Sequence, residues 1–102
     1  MEDISVHELR KKLEEKENFI LIDVREVYEH NEFNIGGELA PLRSELGQKI
    51  ESMADQKNNE IILYCRSGNR SGIAKQLFEQ AGFTKVRNLL GGMLAWRETE
   101  EG

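Results

Sequence analysis

The chain contains one cysteine among its 102 residues. No intrachain disulfide can form, and a thiol left free fits a reducing, cytoplasmic setting. Histidine is almost as scarce. His7 and His30 lie far apart, and together with Cys65 they cannot supply the ligand spacing of a cysteine-rich zinc site, so neither a metal nor a cofactor is expected. No apolar run approaches the roughly 18 residues that a membrane-spanning helix needs. The opening stretch MEDISVHELRKK lacks the basic start and apolar core of a secretory signal. Positive charge is outnumbered, 14 Lys and Arg against 19 Asp and Glu. The resulting net charge of -5 opposes general attraction to nucleic acid or to an anionic membrane. No repeat or low-complexity linker breaks the sequence, so residues 1–102 read as one domain with a single modest core.

What is present is an alternation of helical and extended segments. Ser5 and Glu8 form a capping box ahead of Val6, Leu9 and Leu13, which predicts a helix over residues 6–17. The run FILIDV, Phe19 to Val24, is too continuously apolar to alternate faces and predicts a strand buried on both sides, as in parallel sheets. REVYEHNEF is helix-compatible, and NIGGELAPL is punctuated by Gly36, Gly37 and Pro41 around a short strand. Leu46, Ile50 and Met53 predict a helix within residues 44–54, followed by a second buried strand, EIILY. In GIAKQLFEQAG the spacing puts Ile73, Leu77, Phe78 and Ala81 on one face, with Gly82 as the C-terminal cap. KVRNL predicts a last strand, leading through Gly91 and Gly92 into a final helix at MLAWRETE. Helices that alternate with buried strands cross over between parallel neighbours and cover both faces, which makes a three-layer α/β/α domain. Such sheets bind ligands beyond the carboxyl ends of their strands, and there the strand EIILY gives way to Cys65.

The loop that follows, CRSGNRS, has the composition of an anion cradle. Gly68 and Asn69 can adopt backbone angles that turn successive N–H groups toward one centre. The next helix adds its unpaired N–H groups and its positive dipole end. Arg66 and Arg70 add two permanent charges able to bind oxyanions. Such surroundings can lower a thiol pKa from about 8.5 to between about 3.5 and 7.5, which would make Cys65 a thiolate at neutral pH. The same field would stabilise a persulfide anion, whose formation from a thiolate needs no general base. His7 and His30 are therefore read as surface or packing residues. A lone cysteine at a strand end can also be a small buried hydrophobe. An inert plug, however, gains nothing from charged, flexible neighbours, and the loop favours a reactive thiol.

LIDVREVYEH, CRSGNRS and NLLGGMLAW occur in that order, and with them the chain resembles the single-domain rhodaneses over nearly its whole length. The resemblance implies a rhodanese-like α/β/α domain with a central parallel five-stranded sheet. It also implies a sulfurtransferase that carries sulfane sulfur from thiosulfate or a similar anionic donor to a thiol or cyanide through a Cys65 persulfide. In that scheme Cys65 is catalytic, and Arg66, Ser67, Gly68, Asn69 and Arg70 hold the persulfide and the donor. Related phosphatases and arsenate reductases place five residues between cysteine and arginine, whereas four, Arg66 to Asn69, stand here between Cys65 and Arg70. The shorter ring favours a single sulfur atom over a tetrahedral oxyanion. Two alternatives stay open: a sulfur-relay module serving a partner protein, and a rhodanese-related phosphatase or arsenate reductase. One departure is visible at Asn34, Ile35, Gly36 and Gly37, where many rhodaneses carry histidine, isoleucine, proline and glycine. Asp23 and Arg25 are read as fixing the loop between strand and helix. Met93 and Trp96 either line the pocket rim or fill the core.

Overall fold

The structure, a computed structural model, describes residues 1–101. The chain runs α1 (Val6–Glu14), β1 (Ile20–Asp23), α2 (Val27–Glu32), β2 (Glu38–Leu39), α3 (Leu46–Ser52), β3 (Ile61–Tyr64), α4 (Asn69–Gln80), β4 (Val86–Asn88) and α5 (Gly92–Glu101). The strands form one parallel sheet in the order β2-β1-β3-β4. In the centre, β1 and β3 pair from Ile20–Ile61 to Asp23–Tyr64. All of β3 is buried, as its unbroken apolar run requires.

Side chains alternate across this sheet and define two cores. On one face Ile22, Ile61 and Leu63 pack with Leu46 of α3 and with Ala74 and Phe78 of α4. On the other, Leu21, Ile62 and Tyr64 pack with Val6 and Leu9 of α1 and with Met93 and Trp96 of α5. The three layers expected from the sequence are present. Among the described residues no helix is long and apolar enough to cross a membrane.

Among the described residues the sheet has four strands, not five. In the fifth place stands a single parallel bridge between Ile4 and Leu89. Ile4 donates its N–H to the Asn88 carbonyl and accepts from the Leu90 N–H, at 3.0 and 2.9 Å. The pairing cannot lengthen because the next residue, Ser5, is already the α1 cap, accepting at Oγ from the Glu8 N–H at 3.1 Å.

A second difference lies in α4. Its sheet-facing residues are Ser71, Ala74 and Phe78, while Ile73 and Leu77 are 52% and 38% exposed. The helix begins at Asn69, and a turn of about 100° per residue carries Ile73 and Leu77 away from the face that holds Ala74 and Phe78. Gly82 ends the helix as expected, with φ of 96° and its N–H bonded to the Glu79 carbonyl.

The irregular stretch before β2 has a local cause. Gly36 and Gly37 both have positive φ, 94° and 88°, and a side chain on Gly37 would lie 2.6 Å from the Leu21 carbonyl oxygen. The double glycine thus brings the chain directly against β1.

Candidate active site

All the strands run the same way, so their carboxyl ends share one edge of the sheet. Along that edge lie the start of α2, the loop after β3 and the turn after β4. Cys65 sits at the end of β3, 1% exposed, with its Sγ directed at the start of α4. Gly68 turns the loop with φ of 105°, a conformation that glycine adopts without strain. Asn69 is ordinary helix, so the special backbone angle belongs to Gly68 alone.

The turn aims donors at the sulfur. The Gly68 N–H lies 3.1 Å from Sγ, the Ser71 N–H 3.4 Å and the Ser71 hydroxyl 3.3 Å. Burial by itself favours the neutral thiol. The hydroxyl and N–H of Ser71 and the N–H groups of Gly68 and Ser67 outweigh it, and the Cys65 pKa lies below the ordinary thiol value.

The arginines divide. Arg66 is exposed and stands between two clefts. One, of about 350 Å³, lies between α2 and α5 and is lined by Phe33, Met93, Leu94 and Arg97. The other, of about 370 Å³, is lined by Tyr28, Leu42, Arg43 and Arg70. Arg70 is committed elsewhere: its two terminal nitrogens bind both oxygens of Glu29 at 2.6 and 2.9 Å. Those hydrogen bonds hold the Glu29 carboxyl at about 2, well below its ordinary 4.5. Ser67 and Asn69 are exposed.

The Glu29–Arg70 pair makes a prediction. A depressed carboxylate stabilises the fold fully above its unfolded pKa and loses that contribution as pH falls through its folded one, here between 4.5 and about 2. Glu29→Gln keeps the shape and removes the charge. Its urea midpoint should therefore fall less steeply with acid than the parent's over that range. At neutral pH the freed Arg70 charge should bind a small anion such as thiosulfate severalfold more tightly. Weaker anion binding would mean that the pair serves this edge by holding α2 against the cysteine loop.

Asp23 and Arg25 form a buried clamp. The carboxylate accepts the Arg25 backbone N–H at 2.9 Å, the guanidinium at 2.8 to 3.1 Å and approaches His30 Nδ1 at 2.8 Å. Arg25 also binds the Phe33 carbonyl at 2.6 Å. The clamp ties the end of β1 to both ends of α2, and it gives His30 a packing role. His7 is exposed on α1. Met93 is both core and cleft lining, whereas Trp96 is core, stacked under Arg10 at 4.0 Å.

Two further residues complete the site, Ser71 at the end of CRSGNRS and Asn88, and neither is singled out by sequence order. Asn88 ends β4, only 8% exposed, and accepts from the Ser71 hydroxyl at 2.5 Å while donating to the Gly68 carbonyl at 3.0 Å. A polar residue at the carboxyl end of a buried strand was the available signal. Gly91 and Gly92, punctuation in the sequence, are also the place where α5 docks on the cysteine loop. Met93 and Leu94 donate N–H bonds to the Cys65 and Arg66 carbonyls at 2.9 and 3.0 Å.

A parallel α/β sheet here presents a hydrogen-bonded thiol on a glycine turn at a helix start, an arrangement in which a thiol can ionise and act as a nucleophile. The sequence profile described as Rhodanese-like domain matches residues 5–99, and the chain belongs to that family. YtwF of Bacillus subtilis, provisionally named a sulfurtransferase, is 39% identical over 94% of this chain and 90% of its own. YrkF of the same organism, provisionally named a sulfur carrier protein, is 33% identical over 92% of this chain, which spans 50% of YrkF. The structure of the human single-domain sulfurtransferase superposes with a TM-score of 0.81 at 28% identity, covering 94% of this chain and 95% of that one. The family is thus one of sulfurtransferases and sulfur carriers by the names of its members.

Proposed function

We propose that this protein transfers sulfane sulfur through a persulfide on Cys65. The Cys65 thiolate attacks the outer sulfur of thiosulfate or a similar donor, the sulfur–sulfur bond of the donor breaks, and sulfite leaves with the bonding pair. The product is a Cys65 persulfide anion. A thiolate or cyanide then attacks its outer sulfur and releases the Cys65 thiolate, so the cycle closes without a net redox change. The observation that carries this reading is the buried Sγ within hydrogen-bond reach of the Gly68 and Ser71 N–H groups. Donors fixed beside sulfur stabilise the anion at both ends of the cycle without reorganising. Exposed Arg66 supplies the attraction for an anionic donor, and Arg70 holds α2 against the loop through Glu29. A reducing compartment such as the cytoplasm suits a thiol that must stay free.

Incubation with thiosulfate is expected to add the mass of one sulfur atom to the peptide carrying Cys65 and to release one sulfite per chain. Alkylating Cys65 first should block both. Release of sulfite without a mass gain on that peptide would overturn the reading. A second reading, a relay module loaded by a protein donor, is favoured by the likeness to YrkF, of which this chain spans 50%. It predicts slow loading by thiosulfate and fast loading by a persulfide-bearing protein.

A further inference from the structure

The Ser71 hydroxyl has one proton and two neighbours that claim it. Asn88 Oδ1 lies 2.5 Å from Ser71 Oγ, and Cys65 Sγ lies 3.3 Å from the same oxygen. The orientation of the Asn88 amide is not free, because Nδ2 donates to the Gly68 carbonyl at 3.0 Å and so turns Oδ1 toward Ser71. An amide oxygen can only accept. While Cys65 is a neutral thiol, the shorter contact holds the hydroxyl proton on the Asn88 side and leaves a Ser71 lone pair facing the sulfur, where it can accept from S–H. Once the thiol proton has gone to solvent, the thiolate is the stronger acceptor and the hydroxyl must rotate toward it, leaving Asn88 Oδ1 without its partner. The Gly68 and Ser71 N–H groups point at the sulfur in both states, and only the hydroxyl has this choice.

We propose that Asn88 is a positioning residue for Cys65: by competing for the Ser71 hydroxyl proton it opposes thiolate formation and restrains the reactivity of the resting thiol. In the persulfide the charge sits on the outer sulfur, Sγ becomes a neutral bridge, and the hydroxyl returns to Asn88. The same competition therefore acts when an acceptor removes the sulfur and Cys65 departs as thiolate. Asn88 touches neither reactant and acts entirely through Ser71.

Other charges surround the sulfur. They are Arg66 in the loop, Arg70 on α4 paired with Glu29 of α2, the buried Asp23–Arg25 pair at the end of β1 with His30 against it, Glu26 and Glu32 at the two ends of α2, Arg43 before α3, and Arg97 on α5. Beyond Asn88 stands the Asp3–Lys75 pair, whose carboxylate accepts the Asn88 backbone N–H. A neutral side chain at position 88 leaves all of these charges in place, so a change in Cys65 ionisation can be referred to the hydroxyl.

The test is a double-mutant cycle read by the pH dependence of Cys65 ionisation, using thiolate ultraviolet absorbance measured against Cys65→Ser. Because Cys65 is the sole cysteine, the difference signal has one source. Asn88→Leu removes the competing acceptor at similar volume and should raise the ionisation constant roughly two- to tenfold, the worth of one neutral hydrogen bond. In a Ser71→Ala background the same Asn88→Leu change should have no effect. A shift that persists without the hydroxyl would mean that Asn88 works through Gly68 and the loop backbone, and would overturn the proposal. Should Asn88→Leu fail to fold, Ser71→Ala alone decides. With Asn88 present, the loss of the hydroxyl should change the ionisation constant by less than about tenfold, because the bond gained by the thiolate is largely offset by the bond Asn88 loses. A larger drop would show that Asn88 does not compete. Ionisation is measured without any sulfur donor, so this proposal can fail while the transfer reading stands, and the reverse.

Discussion

Cys65→Ser is expected to fold like the parent and to transfer no sulfur. The substituted atom lies in a fully built site, 1% exposed, with the Gly68 and Ser71 N–H groups already aimed at it. A serine oxygen is smaller than sulfur and can accept from the same donors, so the variant should lose only about 1 kcal/mol of stability. Activity responds differently because the cradle works on ionisation. Its donors draw the thiol below its ordinary pKa against the opposing effect of burial. The same donors cannot make an alkoxide available at neutral pH, and His30, the histidine nearest this edge, is turned to Asp23 and serves as no base for the hydroxyl. An oxygen nucleophile would also give no persulfide. Thiosulfate should therefore leave the variant's mass unchanged and release sulfite only at the background rate, with a melting temperature close to the parent's. Turnover retained by Cys65→Ser would remove Cys65 from the mechanism.

The part of the site legible in the sequence is the part contiguous in the chain. CRSGNRS carries the cysteine, the glycine turn and the first turn of α4 in seven successive residues, so order alone implied a thiol over a helix start. Contacts made by distant segments were not legible. Arg70 reads as a free cation until its partner, 41 positions earlier on α2, is brought to 2.6 Å. Asn88 is 17 positions from Ser71, and although a polar residue at the end of a buried strand stands out in KVRNL, nothing there names Ser71 as its partner.

The fold shows the same division. Central strands came through clearly because burial on both faces forces an apolar run, as in β3. The sheet edge did not, since one residue, Ile4, fills the fifth place through two backbone hydrogen bonds and leaves no pattern in side chains. In α4 helical spacing identified the helix and placed Phe78 and Ala81 against the core, but it put the exposed Ile73 and Leu77 on the same face, because period alone gives spacing and not which stripe meets the sheet.

The second large effect is expected at Gly92. This residue has φ of 54°, in the left-handed region, and a Cβ placed there would lie 2.4 Å from the Cys65 carbonyl oxygen and 2.6 Å from that of Arg66. Both obstacles are backbone, so neither can swing aside as a side-chain tip could. The next two residues donate their N–H groups to those same carbonyls, at 2.9 and 3.0 Å. Gly92→Ala must therefore push α5 off the cysteine loop and weaken both hydrogen bonds. Left-handed strain of about 1–2 kcal/mol, with about 1 kcal/mol for each weakened bond, gives a loss of about 3 kcal/mol or more. For a domain of this size that is a fall in melting temperature of at least about 12 °C. Gly47→Ala is the matched control. Gly47 lies within α3, has no positive φ and would meet nothing within 4 Å, so alanine there should stabilise by about 0.5–1 kcal/mol. Because Gly92 bears on the carbonyls of Cys65 and Arg66, its loss should also misalign the turn that aims the Gly68 N–H at sulfur. Sulfur loading of Gly92→Ala should then be slowed even at a temperature where the variant is fully folded. Normal loading there would mean that α5 supports the fold without shaping the cradle.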